Sequence, residues 1–211
     1  MQVAQRLYNM NDVKSPFMVI PQFISPLMCD DIASNNTPLF DSDGLYVLKP
    51  QMGLLGFIKD KISDIMPIIS GYYGVNPTDL DPPVLYRLTE KVEPVAVCDS
   101  SKYINGKWVQ IYPRDISGYI ALSNYNDKVP FDTQYEVYGG KLEFPQHQFG
   151  FNPQIGTLIL YPSAPHFIHQ HTIIQCGSLY YIQFFIKADV PYLYKPTNFP
   201  GDYTTWFREI S

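Results

Sequence analysis

The chain has 211 residues, 45% of them hydrophobic and 17% charged, which suits one domain with a sizeable core and excludes a disordered chain. A net charge of −5 without any cluster of Lys and Arg argues against a nucleic-acid-binding face. The three cysteines, Cys29, Cys98 and Cys176, give neither a disulfide framework nor a zinc spacing, and no leader-like segment or run of ~20 apolar residues is present, so the expectation is a soluble cytoplasmic protein without membrane contact.

In chain order, FMVIPQFI at 17–24 reads as a short strand. Ser25-Pro26 then starts a helix through Leu27, Cys29 and Ile32, with Ser as N-cap and Pro in the first turn. A second helix follows from Leu54, Phe57, Ile58, Ile62 and Ile65 on one face against Lys59, Asp60, Lys61 and Asp64 on the other, and Pro67 weakens its end. Residues 71–83, rich in Gly, Asn and Pro, read as a loop. Strands are expected at 84–89, 92–98, 106–112, 116–124, 141–144, 148–152, 156–161, 166–174 and 178–186. Aromatic residues make up 15%, which fits half-buried pleated surfaces. Many short strands after two helices predict a mainly β protein with flanking N-terminal helices, the core being a sandwich, barrel or jelly roll. One domain spans 1–186, with strand and helices at 17–70 and the β core at 84–186. Residues 187–211, rich in Pro, Tyr, Phe and Trp, form an extension that either reaches a neighbour or folds back on its own domain.

The segment 137–186, VYGGKLEFPQHQFGFNPQIGTLILYPSAPHFIHQHTIIQCGSLYYIQFFI, carries the most specific pattern. Gly139-Gly140 opens a strand, Pro153 and Gly156 mark a turn, and Tyr161-Pro162-Ser163 ends an apolar strand. His169 follows, and then Gly177 and Tyr180. Upstream lie MVIPQFISPLMCDDIAS and RDISGYIALSNYN. In this order and spacing the pieces resemble the prolyl-4-hydroxylase-like branch of the Fe(II)/2-oxoglutarate dioxygenases over residues 17–186. The resemblance implies a double-stranded β-helix (jelly roll) core. It also implies an iron held by a His-x-Asp pair and a distant His, a set that leaves open positions for 2-oxoglutarate and oxygen. A basic residue about ten positions after the distant His would hold the cosubstrate's far carboxylate.

Carried over residue by residue, His169 takes the distant-ligand place and Asp99, in VAVCDSS, the carboxylate place. Val97 stands where the first His belongs, and no His occurs in the first 146 residues. Leu179 stands where the basic residue belongs, which leaves an anionic carboxylate to be desolvated without a partner. Fe(II) is thus implied with a partial ligand set, and 2-oxoglutarate lacks its anchor. His166, His169 and His171 form an H-x-x-H-x-H cluster that could build a different metal site with Asp99 or Cys98; the plainer alternative makes His166 a turn residue and His171 an aliphatic substitute. His147 reads as a turn or surface residue, and Cys98 as a small buried hydrophobe.

The expectation is a catalytically degenerate protein serving as a structural or binding component. Small proteins of this family are common in tailed phages and other viruses as well as in bacteria, so the resemblance makes a virion component one concrete version, with protein partners in a homo-oligomer or larger assembly, no nucleic acid and no membrane. The alternative is an active hydroxylase of prolyl or other side chains, with an altered iron site.

Overall fold

The computed structural model describes residues 15–50, 53–128 and 136–189. Ser25 caps the first helix, α1 (Pro26–Ser34), its hydroxyl accepting from the Met28 amide, as the Ser-Pro pair predicts. The amphipathic segment forms α2 (Leu54–Asp64) and buries Ile58 and Ile62. Pro67 does not end helical structure there. It sits in the first turn of a further helix, α3 (Met66–Tyr73), where its missing amide costs nothing, and Gly74 closes that helix in the left-handed conformation.

The strands are β1 (Met18–Ile20), β2 (Asn36–Ser42), β3 (Leu45–Pro50), β4 (Pro77–Leu80), β5 (Val84–Thr89), β6 (Ser101–Ile104), β7 (Lys107–Gln110), β8 (Ile116–Ala121), β9 (Asn124–Asn126), β10 (Glu136–Gly139), β11 (Leu142–Phe144), β12 (Phe149–Phe151), β13 (Leu158–Pro162), β14 (Gln170–His171) and β15 (Ile174–Ala188). Several differ from the sequence reading. The β2–β3 hairpin was not expected, and the presumed loop 71–83 holds the end of α3 and all of β4. Residues 92–98 form no strand beyond one bridge at Val97, and 166–174 divides into a 3-10 turn, β14 and the start of β15. The rest of the 187–211 extension beyond Asp189 lies outside the described residues.

The large sheet runs β1-β13-β8-β15-β5-β3-β2, with β4 and β10 pairing at the two ends of β15 and β9 pairing with β10. A smaller sheet, β12-β11-β14, faces it. Its fourth member is reduced to the antiparallel bridge between Val97 and His169, next to β14. Together they form a jelly roll, with helices on the outer face of the large sheet.

The period-two rule places every side chain of the central strands. On β15, Ile182, Phe184 and Ile186 face the core shared with the helices, while Leu179 and Tyr181 face the space between the sheets. On β8, Ile116 and Ile120 go to the helices and Tyr119 and Ala121 to the inter-sheet space; on β13, Leu158 and Leu160 oppose Ile159 and Tyr161. The helix side is mostly aliphatic, and the inter-sheet side is rich in aromatic rings. Gly139, which opens the Gly-Gly motif, has φ +89°, and a Cβ there would collide with the Ile173 carbonyl, so only glycine lets β10 lie against β15.

Candidate functional site

The bridge between residues 97 and 169 builds the site. Val97 and His169 exchange both backbone hydrogen bonds, at 2.9 and 3.0 Å. A pair of that type sits directly opposite with side chains on one face, and Asp99, two residues on, shares that face. The result brings together residues seventy positions apart in the chain: His169 Nε2 lies 3.9 Å from Asp99 Oδ2, and both side chains are buried.

Each member is held from several sides. The His169 Nδ1 contacts the Phe167 carbonyl at 3.1 Å; a carbonyl only accepts, so Nδ1 carries the proton and Nε2 faces Asp99. The Tyr161 hydroxyl is 3.4 Å from that Nε2. Asp99 Oδ2 accepts from the Ser117 hydroxyl at 2.7 Å, and Ser117 in turn lies 2.7 Å from the Ser163 hydroxyl. Since Ser117 spends its one proton on Asp99, Ser163 donates to Ser117. Asp99 Oδ1 accepts from Gln183 Nε2 at 3.1 Å. Arg114 does not reach the carboxylate. It donates to the Asp99 backbone carbonyl at 3.2 Å and to Asp81 at 3.1 Å, with its guanidinium 3.6 Å above the Phe185 ring. Burial, with the Asp99 charge beside it, raises the Tyr161 phenol well above its ordinary range, so this hydroxyl stays a proton donor.

The other predicted residues fall as follows. Val97 is 45% exposed and puts an aliphatic group beside His169 and Asp99 where a third donor would stand. Cys98 contacts the Ser163 carbonyl at 3.5 Å, and burial pushes its thiol up, the behaviour of a small buried group. His171 donates to the Gly140 carbonyl and lies against Tyr119 and Tyr181; burial lowers it to about 4. His147 is not at the surface as the sequence suggests. It is buried, stacked on Phe167 with its Nε2 2.7 Å from the His166 carbonyl, and burial lowers it to about 4. Among the described residues, no group of three or more His, Cys, Asp and Glu side chains is arranged to hold a metal ion.

Leu179 is fully buried, packed on Gly140 and opposite Leu88 in the register. Along β15, Leu179, Tyr181 and Gln183 share one face, and Gln183 touches Asp99. The path from Asp99 to Leu179 therefore spans four strand residues, about 13 Å. Tyr181 stands midway. Its ring stacks on Tyr119 at 4.7 Å and on Tyr86 at 5.2 Å, three rings from three neighbouring strands. The Tyr119 hydroxyl is buried without a hydrogen-bond partner among the described residues. Neither implied group fits these residues. Iron would find Asp99, His169 and a valine, and the far carboxylate of 2-oxoglutarate would meet Leu179 at the place where the resemblance puts a basic residue. The sequence reading missed the stack, although alternation outward from Leu179 marks Tyr181 as its neighbour on the same face.

No family model matches the chain, and no curated protein matches its sequence. Solved structures do match. The chain superposes on the viral collagen prolyl hydroxylase of Paramecium Bursaria Chlorella virus-1 with TM-score 0.58 and 13% identity, covering 83% of this chain and 90% of that one. A Trichoplax adhaerens prolyl hydroxylase, solved with a hypoxia inducible factor oxygen degradation domain peptide, gives TM-score 0.58 and 12% identity over 87% of each chain. A Pseudomonas putida prolyl-4-hydroxylase gives 0.52 and 10%, covering 82% and 92%. At these identities the likeness is one of architecture, and the chain has the double-stranded β-helix fold of the prolyl hydroxylases.

Proposed function

We propose that this chain is a prolyl-hydroxylase-like protein whose active site is retired, and that it works as a binding or structural component of a protein assembly. The observation that carries this reading is the stack of Tyr86, Tyr181 and Tyr119 ending at Leu179. A missing ligand alone could be replaced by water. A filled cosubstrate path with an apolar end is a second and independent loss, because a dicarboxylate there would displace packed rings and lie desolvated without a counter-charge. A virus particle is one such assembly, and one structural neighbour is a viral protein.

One observation favours a second reading. Asp99 and His169 remain buried together, with the imidazole turned toward the carboxylate. An active hydroxylase with an unrecognised third ligand would keep that pair.

The deciding experiment is anaerobic titration of the full chain with Fe(II), with and without 2-oxoglutarate, following the metal-to-ligand absorption band and the melting temperature. A ligand of the native state must raise apparent stability. Retirement predicts neither band nor shift. A band and a shift that require both additions would establish a working dioxygenase site and overturn this proposal.

A further inference from the structure

On the outer face of the large sheet, past the end covered by the helices, lies a cavity of about 450 Å³ lined by Arg87, Thr89, Glu90, Cys176, Ser178 and Tyr180. That volume is within the ~300–1,000 Å³ of ordinary small-molecule sites. It lies on the opposite face of β5 and β15 from Tyr86 and Tyr181, so it belongs to neither the Asp99–His169 pair nor the tyrosine stack.

The register builds its central residue. On β5, Arg87 is directly opposite Tyr46 of β3 on one side and Tyr180 of β15 on the other. Its guanidinium carbon sits 5.2 Å from the Tyr46 ring centroid and 5.6 Å from that of Tyr180, a cation held between two aromatic rings. Its Nε donates to the Ser178 hydroxyl at 3.2 Å, which fixes the plane of the group. The remaining N–H donors have no carboxylate partner among the described residues, and a planar fork of this kind matches a carboxylate. Glu90 lines the same cavity, three residues on. The two opposite charges share one cavity and do not pair with each other. An arrangement that holds a guanidinium in place by stacking, with an exposed carboxylate lining the same cavity, suits a ligand that carries both charges.

We infer that this cavity is a binding site for a small zwitterion of amino-acid type, its carboxylate on the Arg87 fork and its ammonium on Glu90. The inference is independent of the retired-site reading and stands or falls apart from any iron chemistry.

The test is calorimetric titration of the full chain at constant ionic strength with glycine, β-alanine, γ-aminobutyrate and 6-aminohexanoate, a series that varies the distance between the charges. Acetate and propylamine carry one charge each and serve as the comparison. The expected result is saturable binding of at least one member, about tenfold or more tighter than acetate or propylamine, and weakened about tenfold or more by Glu90→Gln, an exposed position that leaves folding intact. Arg87→Gln removes the charge, while Arg87→Lys keeps the charge between the rings and removes only the fork. Both should weaken binding, and the Lys variant guards against a general loss of fold. Three results overturn the inference: no member of the series binds, acetate binds as tightly as the best zwitterion, or binding survives both Glu90→Gln and Arg87→Lys.

Discussion

Tyr181→Ala separates a packed plug from an open pocket. The ring is buried between two others, with centroids 4.7 and 5.2 Å away, and His171 closes in at 5.2 Å. Truncating a buried aromatic residue costs about 3–5 kcal/mol, made up of lost transfer energy and the cavity left behind. The upper part of that range applies here, because the walls of the gap are rigid rings on neighbouring strands that cannot collapse into it, and because two ring pairs, each worth about 0.5–1.5 kcal/mol, lose a partner. Burial raises the Tyr181 and Tyr119 phenols, so no compensating ionisation occurs near neutral pH. With a urea m-value of about 2 kcal/mol/M, a loss of about 4 kcal/mol moves the unfolding midpoint down by about 2 M. The variant should gain no stability from 2-oxoglutarate, since Leu179 still offers no charge; the double change Tyr181→Ala with Leu179→Arg is where such a gain should first appear. A loss under about 1 kcal/mol for Tyr181→Ala would refute the packing argument. Stabilisation of the unaltered protein by 2-oxoglutarate would refute the occlusion argument even if the packing one held.

Three further outcomes follow from single contacts. Tyr119→Phe should be neutral or stabilising by up to about 1 kcal/mol in the same unfolding assay, because the deleted hydroxyl is buried without a partner; a clear loss would mean that something bound in the interior satisfies it. Gly118→Ala on β8 should cost about 1–3 kcal/mol or more, because the added methyl would overlap the buried Phe184 ring on the helix side, and Phe184→Leu in the same chain should recover part of the loss. Burial lowers His147 and His171 from 6.5 to about 4, so between those values the unfolded chain binds more protons than the folded one. Stability is therefore complete above about pH 6.5 and falls as the pH drops toward 4; His147→Gln, which keeps a donor for the His166 carbonyl, should flatten that acid limb when midpoints are compared across pH.

What the sequence made legible was whatever had a strong period or a local signal. The Ser-Pro pair marks α1, the amphipathic stripe marks α2, and the short apolar runs of 116–121, 158–162 and 178–186 mark the strands that carry the jelly roll, buried on both faces. The misses share a physical cause: a residue whose meaning depends on its neighbours in space. Pro67 reads as a breaker by itself but begins α3 once Ile65 ends α2. Residues 36–42 lie at the edge of the large sheet and are almost wholly exposed, so no apolar alternation marks them as β2. Val92, Val95 and Val97 make 92–98 look like a strand, yet Val95 is 67% exposed and only Val97 forms a bridge, with His169. At the site, Asp99 and His169 were named from their places in a motif, whereas Ser117, Gln183 and Tyr161, which hold them, follow only from which faces of β8, β15 and β13 meet.

If the site is retired as proposed, the Asp99–His169 pair is kept for something other than catalysis, and the hydrogen bonds supply a reason. Asp99 joins β8 through Ser117 to β15 through Gln183, and Ser163 joins β13 to the same chain of hydroxyls. A buried carboxylate with every donor in place is costly to cut, since each abandoned donor and the lost charge-assisted bonds are paid for separately. Asp99→Ala should therefore destabilise by about 3–5 kcal/mol, while Asp99→Asn, which keeps the shape but turns one acceptor into a donor facing Ser117 or Gln183, should cost about 1–3 kcal/mol. His169→Ala removes a ring packed against Tyr161 and Phe144 and should show the large-to-small loss of a core residue. These are stability effects, readable by denaturation in the absence of any metal. If the pair were also kept for chemistry, iron would bind the unaltered protein and raise its midpoint, and His169→Ala and Asp99→Ala would abolish that rise. If it is kept only as a cross-brace between three strands, both will lower the midpoint, iron will not move the midpoint of the unaltered protein, and Asp99→Ala will lower it more than Asp99→Asn.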